Sequence, residues 1–252
     1  MIDVHCHILP GLDDGSPDMD SSVKMAAIAA NSGTRCLVAT PHSNQVGRYE
    51  NYYTPGLENL FHTLKTALEA KSIPLKLFLG MEIFASDDLY EKITSGMLIG
   101  LNHSHHYLVE FHFDETPVRI QKYLNDILDA GGIPLIAHPE RYYCVQDCPE
   151  LVYDWLSMGC LAQINKGSLF GRFGRSSQAV AETLLFNGLV TCLGSDAHSP
   201  YRRTTDMEGT HRYLIHHLGH EITWLITEEN PRRILNDLPV ITHGRPPGAD
   251  FD

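Results

Sequence analysis

Short apolar runs alternate with longer amphipathic stretches along the whole chain, and six of the seven short runs end beside a histidine or a carboxylate. The runs cover residues 1–5, 35–40, 75–81, 107–111, 133–137, 161–164 and 190–193. Their brevity and continuous apolarity fit strands buried on both faces of a parallel sheet. Between them, helical patterns are predicted near residues 20–31, 57–71, 118–130, 150–158 and 176–187, with two more near 204–218 and 231–235. Ser32-Gly33, Gly131-Gly132, Met158-Gly159 and Asn187-Gly188 each close a helix before a strand. Asn230-Pro231 reads as an N-cap followed by proline at the first helical position.

Seven βα units without a long linker predict a single α/β domain, a barrel-like (β/α)7 fold over residues 1–240. An open doubly wound sheet is the competing architecture, but the first βα turn has no G-x-G-x-x-G, and no P-loop or internal repeat occurs. Residues 241–252 hold Arg245-Pro246-Pro247-Gly248 and little apolar matter, and read as a flexible tail. With 19 Lys and Arg against 31 Asp and Glu, the chain lacks the basic stripe that nucleic acid or an anionic membrane would require. No apolar run is long enough to span a bilayer, and the first residues have neither the basic nor the apolar region of a signal peptide. Six cysteines in 252 residues make no disulfide scaffold, so a cytoplasmic location is expected.

Fifteen histidines are the unusual part of the composition. The first run ends in His5-Cys6-His7 and continues to Gly11-Leu12-Asp13-Asp14-Gly15. Residues i and i+2 of an extended segment share a side, so His5 and His7 can grip one ion while Cys6 points away. The next runs end in Thr40-Pro41-His42, Gly80-Met81-Glu82, Val109-Glu110-Phe111 and His138-Pro139-Glu140-Arg141, and the last in Ser195-Asp196-Ala197-His198. Taken singly, an H-x-H pair is often two surface histidines, a terminal Glu is often solvated, and Asp-Asp-Gly is a common turn. Taken together they collect metal-competent side chains at the strand ends where barrel active sites are built.

These motifs resemble those of the polymerase-and-histidinol-phosphatase (PHP) metallohydrolases. The opening, from His5 to Gly15, is similar to the bacterial PHP-type protein-tyrosine phosphatases of capsule and exopolysaccharide systems. Gln163-Ile164-Asn165 and Glu229-Asn230-Pro231 extend the likeness to about residue 240. The resemblance implies a distorted seven-stranded TIM-like barrel, the PHP fold, with three divalent metal ions at its mouth. Carried over residue by residue, His5, His7, Glu82 and Asp196 hold the first ion. Glu82 bridges to a second, completed by Glu110 and His138. Asp14, His42 and His198 hold the third, with Asp13 an alternative to Asp14. Imidazole and carboxylate without thiolate suit Mn²⁺, Zn²⁺ or Fe²⁺, and the subgroup implies Mn²⁺.

The implied chemistry is hydrolysis of a phosphate monoester. Clustered divalent ions neutralise phosphoryl oxygens and lower the pKa of a bound water, so a hydroxide is expected to attack phosphorus in line without a phosphoenzyme. Arg141 and Arg203 are expected to clamp the other oxygens, guanidinium matching phosphate bidentately. The plainer readings are salt bridges from Arg141 to Glu140 and from Arg203 to Asp206 or Glu208. A phenolate leaving group, with a pKa of about 10, makes little demand on a general acid; His42 or a metal-bound water is the nominee. Thiol-based tyrosine phosphatases need Cys-x5-Arg, and the residues six after the cysteines are Leu12, His42, Glu150, Asp154, Lys166 and His198. Cysteinyl-phosphate chemistry is therefore excluded, and no G-x-S-x-G elbow supports a serine hydrolase.

The leading expectation is a metal-dependent phosphatase acting on phosphotyrosine in proteins. Its implied partner is the tyrosine-rich tail of a membrane kinase, met from the cytoplasmic side. The runner-up is a PHP phosphatase of a small phosphomonoester such as histidinol phosphate. A non-catalytic metal-binding module is the alternative of a different class. His103, His105, His106, His112, His211, His216, His217 and His220 fit no ligand motif, some of them expected at the substrate entrance between the third and fourth strands.

Overall fold

The computed structural model describes residues 1–242. Nine short strands are all paired in parallel: β1 (Ile2–Cys6), β2 (Cys36–Ala39), β3 (His42–Ser43), β4 (Lys76–Leu79), β5 (Glu82–Phe84), β6 (His106–Glu110), β7 (Ile133–Ala137), β8 (Leu161–Asn165) and β9 (Cys192–Gly194). Their order is β1-β2-β4 in one ladder and β3-β5-β6-β7-β8-β9 in the other. The two ladders follow one another because two of the seven expected strands are interrupted. Thr40-Pro41 separates β2 from β3, where proline has no N–H to give a ladder. Gly80-Met81 separates β4 from β5, and a Cβ on Gly80 would stand 2.7 Å from Leu101 Cδ2.

The sheet curls until β1 faces the end of β9, but the two meet only at a bridge between Cys6 and Ala197. There His7 N–H donates to Ala197 O and Asp196 N–H to His5 O, each at 2.9 Å. The result is a distorted, incompletely laddered barrel. Alternation along each strand sorts side chains into two cores. Val4, Val38, Leu108, Leu135, Leu161 and Cys192 face the interior, floored by Leu101, Ile234 and Leu235. Leu37, Val109, Ile136, Ala162, Ile164 and Leu193 face the helices. At the C-terminal ends the inward series turns polar: Leu161 is followed by Gln163 and Asn165, and Leu108 by Glu110.

The helices are α1 (Met19–Asn31), α2 (Pro55–Ala70), α3 (Leu89–Thr94), α4 (Pro117–Asp129), α5 (Tyr143–Asp147), α6 (Glu150–Ser157), α7 (Arg175–Phe186), α8 (Glu208–Trp224) and α9 (Asn230–Leu235). Asp18, Thr54 and Thr116 cap α1, α2 and α4 through their side-chain oxygens. Two short helices, α3 and α5, were not expected; one or two turns give too little periodicity to read. The segment after β9 differs more. Lys166 Nζ holds the carbonyls of Thr204 and Asp206, so α8 starts at Glu208 rather than at residue 204. Gly219, at φ 76°, breaks α8 just after the expected end at residue 218.

Asn230 is not an N-cap. Its backbone is helical and continues a π-turn, Leu225–Glu229, which leads directly into α9. Its amide instead binds Thr191 O and Ile241 O, and its carbonyl accepts Ile241 N–H. Ile241 is thereby tied to the domain, whereas residues 243–252, with Arg245-Pro246-Pro247-Gly248, lie outside the described residues. Among the described residues no helix is long and apolar enough to cross a membrane.

Candidate metal centre

Ten of the residues singled out from the sequence converge at the C-terminal mouth of the barrel: His5, His7, Asp14, His42, Glu82, Glu110, His138, Asp196, His198 and Arg203. Arg141 stands at their edge. His138 and Asp196 both adopt left-handed backbone, φ 37° and 48°, which turns the chain sharply as it leaves β7 and β9. Non-glycine residues occupy that region at a cost of order 1 kcal/mol. Backbone closure between β1 and β9 then sets Asp196 beside His5 and His7, across more than 180 residues of sequence.

The first cluster is His5, His7 and Asp196, with Glu82 against both imidazoles. Its hydrogen bonds fix the tautomers. His5 Nδ1 lies 2.8 Å from Gln163 Oε1, and the Gln163 amide N–H donates to Asn165 Oδ1, which orients the carbonyl toward His5. His7 Nδ1 donates to the Asp13 carboxylate at 2.8 Å. With neutral rings in these tautomers both Nε2 atoms are free to ligate, and they face each other at 3.2 Å. Glu82 oxygens stand 3.1 and 3.2 Å from them, and Asp196 Oδ1 3.7 and 3.5 Å. Acceptors packed this closely, all buried, call for positive charge among them, from bound cations or from protonated imidazole. The donor set and its outer partners, a carboxamide on one imidazole and a carboxylate on the other, fit a divalent metal ion.

His42, Glu82 and Glu110 form a second cluster, in which His42 Nδ1 is 2.9 Å from Glu82 and 3.0 Å from Glu110. His138 Nε2 joins it at 2.9 Å from Glu82 and 3.9 Å from Glu110. The third comprises His7, Asp14, His42 and His198, with Asp14 Oδ1 at 3.4 Å from the Nε2 of both His42 and His198. The loop sends Asp13 and Asp14 in different directions. Gly15 packs directly on His7, where a Cβ would stand 2.3 Å from the His7 carbonyl oxygen. Ser16 N–H donates to that carbonyl, so the loop folds back over the histidine. Asp13 is turned inward onto His7 Nδ1, His42 N–H and Gly15 N–H, and Asp14 outward into the third cluster.

The electrostatics agree with sites built for positive charge. Burial alone depresses the pKa of His5 and His7, yet both are raised, by Glu82 and Asp196 at His5 and chiefly by Asp13 at His7. Burial likewise opposes ionisation of Glu82 and Asp196, yet both carboxyls are held well below their ordinary range. His5 is the main cause in each, joined by His42 at Glu82 and by Arg203 at Asp196.

A cavity of about 370 Å³ opens over the clusters, with Gln45, Arg48, Phe84, His112 and Phe113 on its walls. Arg141 does not pair with Glu140, whose buried carboxylate accepts from Asn165 N–H and Ser168 Oγ. Its guanidinium lies between the rings of Phe113 and Phe173, 4.5 and 4.4 Å from their centres, and 3.6 Å from Asp196. Arg203 likewise turns from Asp206 and Glu208 to Asp196, bonding its carboxylate and, at 3.0 Å, its carbonyl oxygen. Of the unassigned histidines, His112 lines this cavity, while His105 binds Asp237 at 2.6 Å near the barrel floor.

Four contributors were not assigned roles from the sequence. Gln163 and Asn165 form a relay from His5 to Asp196, where Asn165 Nδ2 reaches Oδ2 at 2.5 Å; two amides at i and i+2 in an inward-facing strand were the available signal. Tyr49 stacks on His42 at 5.4 Å and 8°, and Phe173 comes from a loop with no periodic signature.

A family profile described as "Capsular polysaccharide synthesis, CpsB/CapC" matches residues 1–236. The chain belongs to this family. Among its relatives are tyrosine-protein phosphatase YwqE of Bacillus subtilis, 35% identical over 90% of this chain and 89% of that one. Tyrosine-protein phosphatase CpsB of Streptococcus pneumoniae is 30% identical over 94% of this chain and 99% of that one. A crystal structure from work on YwqE and CpsB, described there as unique metal-dependent tyrosine phosphatases, superposes with a TM-score of 0.91 at 32% identity, covering 99% of this chain and 100% of that one. A β-aspartyl dipeptidase of Fervidobacterium islandicum, with a TM-score of 0.55 at 16% identity over 99% of this chain and 76% of that one, shares the fold alone. The distorted barrel and mouth clusters of this CpsB/CapC protein thus have a closely matching framework in a family member.

Proposed function

We infer that the protein is a metal-dependent protein-tyrosine phosphatase of the CpsB/YwqE type. The observation that carries the reading is the pair of imidazole Nε2 atoms opposed at 3.2 Å, ringed by Glu82 and Asp196 and faced by two arginines. His5, His7, Glu82 and Asp196 would hold one divalent ion, Glu82, Glu110 and His138 a second, and Asp14, His42 and His198 a third, with Mn²⁺ the expected metal. Such ions supply Lewis acidity toward phosphoryl oxygens and an activated water. The chain's own contribution is positioning. Arg141 and Arg203 hold the remaining phosphoryl oxygens, and the stacking of Arg141 between two rings fixes its plane in advance. His42, with both ring nitrogens directed at carboxylates, is assigned to metal holding rather than proton delivery. A phenolate of pKa about 10 leaves without a dedicated acid.

The substrate is phosphotyrosine in a cytoplasmic protein segment, proposed as the tail of a tyrosine kinase of polysaccharide synthesis. An unfolded tail can enter a barrel-mouth cleft that a folded domain cannot. The test is turnover of a phosphotyrosyl peptide and of histidinol phosphate by protein of measured metal content, before and after chelation. Loss of peptide turnover on chelation and its return with Mn²⁺ are expected. Activity that survives chelation, or a strong preference for histidinol phosphate, overturns the reading.

A further inference from the structure

Beyond the wall formed by Phe113 and Arg141 lies a second cavity of about 280 Å³, which these two residues share with the metal-centre cavity. Its other walls include Tyr143, Gln146, Phe173 and Arg175. Three aromatic rings and two guanidinium groups line it, and no carboxylate does. The contrast with another groove is sharp: there Arg48 and Arg119 are accompanied by Asp87 and Glu115, and charge cancels. Tyr143 is 58% exposed and Phe113 38%, so their rings are available to a ligand. Gln146 is committed to Glu140 O and Ser177 Oγ, and braces the wall rather than reaching inward.

Aromatic walls with guanidinium groups and no carboxylate in the lining suit an aryl phosphate, the ring packing on Phe113 or Tyr143 and the phosphate taken by Arg175 and by the edge of Arg141 turned away from Asp196. We propose that this second cavity binds a second phosphotyrosine of the same peptide, so that the enzyme prefers multiply phosphorylated segments over singly phosphorylated ones. The proposal rests on the phosphatase reading above, and names the form of the substrate. Because Arg141 borders both cavities, the two phosphates would lie on either side of one guanidinium. An extended chain advances roughly 3.3–3.6 Å per residue, so tyrosines two residues apart stand roughly 7 Å apart on one side of the chain, and cavities that share a wall call for a short spacing of this kind.

The experiment compares three peptides of one sequence with Mn²⁺-loaded enzyme: one phosphotyrosine, the same with a second phosphotyrosine two residues away, and the same with glutamate there. Each kcat/KM is divided by that for p-nitrophenyl phosphate, which is too small to reach across the wall. Arg175 is exposed, so a charge-assisted contact there is worth only a few-fold, about five-fold, in kcat/KM. The doubly phosphorylated peptide should exceed the single one by that factor through KM, and R175Q should bring the ratio close to one. Equal ratios for glutamate and phosphotyrosine overturn the aryl-phosphate assignment. A ratio of one in the wild-type enzyme, or an undiminished ratio in R175Q, overturns the cavity's role. Failure of the wild-type enzyme to turn over p-nitrophenyl phosphate or any peptide overturns instead the phosphatase reading beneath it.

Discussion

Asp13 belongs to none of the candidate ion clusters, yet its replacement by asparagine should weaken metal binding strongly. Its side chain is 1% exposed and accepts three donors: His7 Nδ1 at 2.8 Å, His42 N–H at 2.9 Å and Gly15 N–H at 2.9 Å. An asparagine offers one carbonyl oxygen and one amide NH₂. If the oxygen faces His7 and His42, the NH₂ confronts Gly15 N–H. If it is flipped, the NH₂ confronts His7, which must then carry its proton on Nε2 and lose the lone pair aimed at the ion. Either arrangement leaves a partly buried donor unpaired, at about 1–3 kcal/mol. Loss of an outer-shell carboxylate from a ligating histidine costs roughly 10–100-fold in affinity, or about 1.4–2.7 kcal/mol. Calorimetric titration of chelator-stripped protein with Mn²⁺ should show that weakening in D13N. Its apo melting temperature should also fall, by about 2–4 °C for each kcal/mol in a chain of this size. D14N is the counterpart: with its side chain 43% exposed, it should lose one ion from the stoichiometry and little apo stability. Wild-type affinity in D13N, or the same loss in both variants, would refute the assignment of Asp13 as orienter and Asp14 as ligand.

G194A should disturb the centre from behind, because its Cβ would stand 2.6 Å from His5 Cβ and 2.9 Å from Gln163 Nε2. Overpacking there should cost about 1–3 kcal/mol and reduce bound metal by elemental analysis; full occupancy with unchanged stability would show that His5 has slack. R141K keeps the charge but neither the bidentate fork nor the stack between Phe113 and Phe173. Its kcat/KM for a phosphotyrosyl peptide should fall by about 100-fold, and a loss under three-fold would remove Arg141 from the clamp. His106, buried on the barrel floor, has its pKa lowered from 6.5 by burial, with His105 adding to the effect and Asp237 opposing it. The unfolded chain therefore takes up the proton first, and His106 withdraws stability as pH falls from 6.5 through its folded-state value. Urea unfolding between pH 8 and 5 should show a shallower acid-side loss in H106L than in the parent protein; parallel curves would contradict this.

Much of the centre was legible because two strand-level rules are local. Alternation puts His5 and His7 on one side, and a parallel α/β barrel places polar strand ends at one mouth. Neither rule depends on knowing which strands are neighbours, so the strand-end histidines and carboxylates could be named from their positions alone. The interruptions at Thr40-Pro41 and Gly80-Met81 were not legible as strand breaks, because each looks like the end of a run rather than a pause in one. Asn230-Pro231 misled for a related reason. The dipeptide carries a cap's composition, but a π-turn from the preceding helix reaches it first, and the asparagine side chain is drawn away to Ile241.

The sequence by itself determined an acidic α/β barrel whose strand ends carry imidazoles and carboxylates, together with the absence of the thiol motif of other tyrosine phosphatases. Those are matters of period and residue type, which a chain carries wherever it folds. Tertiary structure alone decided which of two adjacent aspartates reaches the third cluster. It also brought Asp196 to His5 through the β1–β9 bridge, and turned Arg141 and Arg203 from their sequence neighbours toward that same carboxylate. Each of those outcomes depends on a contact between segments far apart in the chain or on how one loop packs. Spacing along the sequence does not encode the close approach of Gly15 to His7, or of Gly194 to Gln163, from which the centre takes its shape.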